Sequence, residues 1–434
     1  MKASKELIEC PQVLFEADIC RIHETLSVSY TSGTLICELA DKKLVEDKLL
    51  IPDGGILRLT CEVIKAGKIQ LDLVKKLVNF LYVASKMSQR VAESLHANDY
   101  SIIKSLTNLL IQKQLGGDLE FQSIVAGLIF SIRGTLEYKE DDLIMKEILN
   151  ITQFIINKSD PYNDLFNNVL KEEQDVKYWT VVVNANTIAL EVLSELFTSE
   201  DPPEEEVKMD CTEELKTRAD SILDEALINS VIRRCEKKEI PQEVKEAGQI
   251  QSAIEKMRIE SFGCLLNFVI NKSQELLKLS NTSLANLIYQ SIKELSNANS
   301  HYLFERISTF TKVSLERLGS DLDLSSSITE HEIQRLCNLI QTITSETIQL
   351  NLISILGCIL KYVPHTIEQN KVCFSVLSSF AIKGSLSMVT TILNALFDIY
   401  SEETYNSVLK ELNVISLLGS SMTHYKNMVI ICVR

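Results

Sequence analysis

Three stretches of this chain repeat one pattern: Leu, Ile and Val at helical spacing, with small residues where two helices would have to cross closely. They are residues 73–81, 124–130 and 350–357, the last two carrying Gly127 and Gly357. A helix this apolar buries its surface only by stacking on neighbours, as the inner helices of an α-solenoid do. The chain therefore reads as all-α, an armadillo/HEAT-repeat solenoid of stacked helical hairpins. That architecture binds other proteins far more often than it catalyses.

Composition supports the reading and narrows the partners. With only 14 Gly and 7 Pro in 434 residues, turn punctuation is sparse, so most of the length must be regular structure. Sustained period-two alternation of Val and Thr is missing, which leaves helix. The net charge of −15 argues against direct binding of a nucleic-acid backbone, which needs clustered Lys and Arg. An acidic protein instead attracts basic proteins. The 11 cysteines are spread singly from Cys10 to Cys432 without a Cys-x-x-Cys pair, the usage of reduced core thiols in an intracellular protein. No apolar run approaches the roughly 18 residues of a membrane span, and residues 1–6 lack an apolar signal core. The expected location is cytoplasm and nucleus, with no membrane partner.

Punctuation divides the chain into three parts: armadillo-like repeats over 1–198, an acidic loop over 199–212, and HEAT-like repeats over 213–434. Pro52-Asp53-Gly54-Gly55 ends one hairpin, and Gly116-Gly117-Asp118 repeats the signal about 60 residues later, roughly one and a half repeats. Helices are predicted over 73–85, 102–112, 185–197, 213–234, 250–270, 348–362, 387–400 and 407–418, the one at 348–362 stopping before Pro364. In the acidic loop, Pro202 and Pro203 remove backbone donors while Glu200, Asp201, Glu204, Glu205 and Glu206 repel one another. From Ser199 to Glu225 there are 11 acidic and 3 basic residues, so about half of the net charge lies here.

Catalytic constellations are missing. The six histidines are isolated, and there is no His-Glu-x-x-His, Gly-x-Ser-x-Gly or Gly-x-x-x-x-Gly-Lys, so no catalytic residue, metal ligand or cofactor is assigned. The Gly-Gly pairs read as hairpin turns, because no Lys or Ser/Thr follows to hold an anion. The acidic run has two readings, a solvated linker or an imitation of a phosphate backbone that masks a basic surface on a partner. Asn79, Tyr82 and Phe130 also have two: clamps for an extended peptide on the inner helices, or, for the rings, core packing. Trp179, the only Trp, reads as a plug between helices.

Several blocks resemble the symportin-type (synchronized import) family, the group of HEAT repeat-containing protein 3. They are Val78-Asn79-Phe80-Leu81-Tyr82 with Ser88-Gln89-Arg90-Val91-Ala92, then residues 124–130, and then 350–357 with 394–400. Thr187-Ile188-Ala189-Leu190-Glu191-Val192 running into the acidic loop, and Ile254-Glu255-Lys256-Met257, are similar as well. The resemblance implies an armadillo half joined to HEAT repeats. It also implies a non-enzymatic chaperone for the two large-subunit ribosomal proteins that bind 5S ribosomal RNA, delivering them together to the nucleus. A groove would take an extended peptide and an acidic element would shield an RNA-binding surface, here at 199–210. An importin is a further partner implied, although the family's basic amino-terminal import segment has no counterpart in residues 1–16. The family's aromatic–Asn groove pair becomes Tyr82-Val83 and Phe130-Ser131, which keeps the ring and loses the backbone clamp. The rival reading is a generic armadillo/HEAT scaffold in trafficking or assembly.

Overall fold

In the computed structural model, the residues described are 71–98, 118–133, 141–162, 173–197, 224–238, 247–271, 281–295, 300–322, 328–363, 366–382 and 384–400, with isolated positions at 64, 106, 240, 324, 410, 411, 416, 419, 420 and 423. Among them every regular element is helical and none is a strand. The helices are α1 (Leu71–Met87), α2 (Gln89–Asn98), α3 (Leu119–Arg133), α4 (Asp141–Lys158), α5 (Glu173–Leu196), α6 (Glu225–Cys235) and α7 (Ala247–Asn271). They continue as α8 (Asn281–Glu294), α9 (His301–Leu318), α10 (Glu330–Thr342), α11 (Glu346–Tyr362), α12 (Ile367–Ala381) and α13 (Leu386–Tyr400). The chain divides into two compact units, one of Met1–Leu193 with Glu243–Glu246 and one of Ser194–Gln242 with Ala247–Arg434.

Helix starts follow from short polar side chains that satisfy otherwise orphaned N–H groups. Asp118 accepts from the N–H of Phe121 at 3.0 Å before α3, and Asp224 from that of Leu227 at 2.7 Å before α6. Ahead of α12, Thr366 and Gln369 form a reciprocal capping box, with Thr366 N–H to Gln369 Oε1 at 2.6 Å and Gln369 N–H to Thr366 Oγ1 at 3.2 Å. At the other end, α11 stops at Tyr362, where Val363 turns extended ahead of Pro364, as the restriction on a pre-proline residue requires.

In the second unit the helices alternate between two layers, which makes it a solenoid. Helices α7, α9, α11 and α13 pack in series in one layer; in the other, α6 packs on α8 and α10 on α12. Hairpin contacts of α6 with α7, α8 with α9, α10 with α11 and α12 with α13 close the two layers on each other. Helix α11 is therefore covered by α9, α13 and α10, and Leu352, Ile353, Ile355, Leu356 and Ile359 are fully buried. Each such side chain contributes about 1.5–3 kcal/mol by burial, and a truncation such as Ile355→Ala removes about 2–5 kcal/mol because the rigid neighbours cannot collapse into the cavity. One buried ion pair ties this unit across its layers: the Arg258 guanidinium donates to both carboxylate oxygens of Glu294 at 2.7 and 2.5 Å, and its Nε to the Cys235 carbonyl at 2.9 Å. That joins α7 to α8 and to the end of α6.

In the first unit α1 packs on α2 and α3, and α3 on α4. The structure lengthens one expected helix and places a helix start within another. The one predicted over 185–197 begins at Glu173, so Trp179 lies inside it; its ring is fully buried and its indole N–H donates to the Pro161 carbonyl at 2.8 Å, a plug as expected. Of the one predicted over 213–234, residues 213–223 lie outside the described residues, and Asp224 is extended (φ −109°, ψ 170°) and caps a helix that starts at Glu225. The predicted helices at 102–112 and 407–418 fall largely outside the described residues, as do Gly54 and Gly55. No described helix is long and apolar enough to cross a membrane.

Candidate partner-binding surfaces

Polar side chains of α1, α3 and α5 meet in the first unit to form a strip over an apolar crossing. Gly127 of α3 makes the crossing possible, since a Cβ there would lie 2.8 Å from the Tyr82 ring and 3.1 Å from Ile188. Tyr82 is thereby buried, and its hydroxyl donates to Glu191 Oε2 at 2.5 Å. Lys86 Nζ stands 2.6 Å from the same oxygen and 5.6 Å from the centre of the Tyr82 ring, so one carboxylate holds a phenol and an ammonium together. Further along the strip Lys75 pairs with Asp118, and Asn184 donates to Glu120 Oε1 at 3.0 Å. Burial raises the Glu120 carboxyl above its ordinary value with help from Asp118, while the Asn184 hydrogen bond and Lys75 oppose the rise.

The residues singled out from the sequence sort by position. Tyr82 is in the strip but committed to Glu191. Asn79 is half-buried one turn before it on α1, and Phe130 is half-buried one turn after Gly127 on α3. Glu200, Asp201, Glu204, Glu205 and Glu206 lie outside the described residues.

The second unit carries a concave site that sequence reasoning missed. A groove of about 360 Å³ opens along α9, α11 and α13, with Lys312 and Glu316 on one wall, Asn394 and Asp398 on the other, and Cys358 and Lys361 between them. Its floor is narrow because Gly357 sits against Ala395, where a Cβ would come within 2.9 Å of the alanine methyl. Asn351 fastens α11 to α9 beneath it, donating to Ser308 Oγ at 3.1 Å and Thr309 Oγ1 at 3.0 Å. The rim pairs charges loosely, Lys361 Nζ standing 3.9 Å from Asp398. Burial raises the Glu316 carboxyl, opposed by Lys312 and reinforced by Asp398. Burial and Glu316 also push the Cys358 thiol up to about 12, so it stays a neutral thiol and a poor nucleophile. The exposed ring of Phe397 stands beside Asp398 on α13. Part of the signal was available: Asn394 and Asp398, four apart, interrupt an otherwise largely apolar helix, whereas Lys312 and Glu316 lie among the many other polar residues of α9. What such a groove can do is hold an extended chain, with amide and charged groups reaching its backbone and side chains. No cluster of three or more metal-ligating side chains occurs among the described residues.

Residues 216–430 match the model of a family described as SYO1-like, TPR repeats. Over that half, the chain belongs to the SYO1-like, symportin-type repeat family. The SYO1-like region runs from the residues just before α6 to beyond α13, so it contains the whole two-layer stack and the α9–α11–α13 groove. The hairpins of this stack begin at residues 225, 281, 330 and 367, each interval longer than the roughly 34 residues of a regular TPR unit. No curated protein matches the chain. Among solved structures, the crystal structure of an engineered protein aligns with 85% of this chain and 97% of its own at 13% identity and a TM-score of 0.32, a likeness too slight to bear on the symportin-type assignment.

Proposed function

We propose that this symportin-type chain is a non-enzymatic chaperone and import adaptor for the two large-subunit ribosomal proteins that bind 5S ribosomal RNA, working between cytoplasm and nucleus in ribosome assembly. The observation that carries the reading is the SYO1-like match over 216–430. Charge agrees with it: basic ribosomal proteins without their RNA aggregate or bind nucleic acid nonspecifically, and a host of net charge −15 attracts them. Half of that charge sits in the run that begins at Glu200, where Glu200, Asp201, Glu204, Glu205 and Glu206 would face the partner's RNA-binding surface. The groove of α9, α11 and α13 offers a second place for an extended segment. An importin is a further proposed partner.

The test is capture of the purified pair of ribosomal proteins by the purified chain at low and at high salt, beside an unrelated acidic solenoid. Selective capture that weakens with salt is expected. Capture no better than that of the unrelated solenoid would overturn the proposal and leave a helical-repeat scaffold with a different partner.

A further inference from the structure

Two thiols from successive hairpins meet inside the outer layer of the second unit. Cys337 of α10 and Cys373 of α12 place their sulfurs 3.7 Å apart, and both residues are buried, 1% exposed. The helices that carry them pack directly on each other. We propose that this pair is an oxidation site, at which a peroxide converts the two thiols to a disulfide that staples α10 to α12. The sulfurs need approach by only a further ~1.6 Å to reach bonding distance, between helices already in contact.

The chemistry balances with one peroxide. One of the two sulfurs attacks a peroxide oxygen, the O–O bond breaks, and water leaves, giving a sulfenic acid. The other sulfur then displaces that hydroxyl as a second water and the S–S bond forms. Two thiols are oxidised, one peroxide is reduced, and both thiol protons end in water. The contact does not depend on which sulfur reacts first: either thiol can donate to the other, so each is placed to resolve a sulfenic acid formed on its neighbour. Burial selects the oxidant, since hydrogen peroxide is small enough to enter through a brief local opening and a bulky disulfide is not. It also protects the intermediate, because the second sulfur waits in contact. The staple would close a 36-residue separation and fix α12, and with it the α13 wall that bears Asn394 and Asp398.

The experiment treats the full chain with a few equivalents of hydrogen peroxide under native conditions, alkylates remaining thiols, and maps peptides without reduction. The expected result is a cross-linked peptide joining Cys337 to Cys373, a thermal midpoint higher by roughly 5 °C, and reversal of both by dithiothreitol. Cys373→Ser should abolish the cross-link and the shift together. Recovery of both cysteines as alkylated thiols or as separate sulfinic acids, or cross-links that form only after denaturation, would overturn the proposal. Because the cross-link is read in the unsubstituted chain, a variant that folds poorly does not obscure the answer.

Discussion

Gly357 sets the separation of α11 and α13 by what it lacks. A Cβ at this position would come within 2.9 Å of Ala395 Cβ, closer than such atoms approach, and an alanine methyl cannot step aside without its backbone. Alanine normally gains about 0.5–1 kcal/mol over glycine in an open helix. Gly248 of α7, with nothing within 4 Å of the added methyl, is such a position. Gly248→Ala should therefore be neutral or stabilising by up to about 1 kcal/mol, whereas Gly357→Ala should lose about 1–2 kcal/mol through overpacking. Urea denaturation of both variants checks the contrast, and equal stability would mean that the crossing is looser than it looks. Small residues inside apolar runs were legible in the sequence at 127 and 357. The commitment of Tyr82 was not, because its hydroxyl partner Glu191 stands 109 residues away.

At the scale of elements, caps and buried pairs decide where helices begin and how hairpins join. Glu332, in the first turn of α10, accepts from the Thr329 N–H at 3.0 Å and from its hydroxyl. Burial alone would raise its carboxyl, but the two Thr329 hydrogen bonds, the Glu332 backbone N–H and Lys293 together outweigh it and hold the group below its ordinary value. A depressed folded-state value means stability that is present above the unfolded value and lost as pH falls through the folded one. Glu332→Ala should thus cost about 1 kcal/mol at pH 7, and the difference from the parent should shrink as pH falls through that carboxyl's folded value. Denaturation midpoints measured at both ends of the range test it, and an undiminished difference in acid would assign the loss to packing. The Arg258–Glu294 pair makes a larger claim. Removing Glu294 alone leaves a guanidinium buried without its counter-charge, so Glu294→Ala should destabilise by about 3–5 kcal/mol, and joint replacement by Met and Leu should cost much less. Similar losses in the single and double variants would show that shape, not charge, matters there.

For the molecule as a whole, charge is the property that reaches a partner first. Replacing Glu204, Glu205 and Glu206 with Gln removes three of the 11 carboxylates between Ser199 and Glu225 and should slow association with the proposed basic ribosomal-protein partner several-fold, with little change in dissociation. Surface plasmon resonance at two ionic strengths separates these rates; unchanged association would remove the acidic run from the mechanism. The all-α class, the stacked hairpins and the apolar blocks of α1, α3 and α11 were determined by the sequence itself, because the period of an apolar stripe and the scarcity of Gly and Pro are local properties. So was the helix stop before Pro364, a matter of one residue's neighbours. Only the tertiary structure decided that Glu316 and Asp398 share a groove, that Arg258 finds Glu294, and that Cys337 meets Cys373. Each of those contacts joins different helices, and the register between stacked helices is set by how whole faces interlock, which no window along the chain contains.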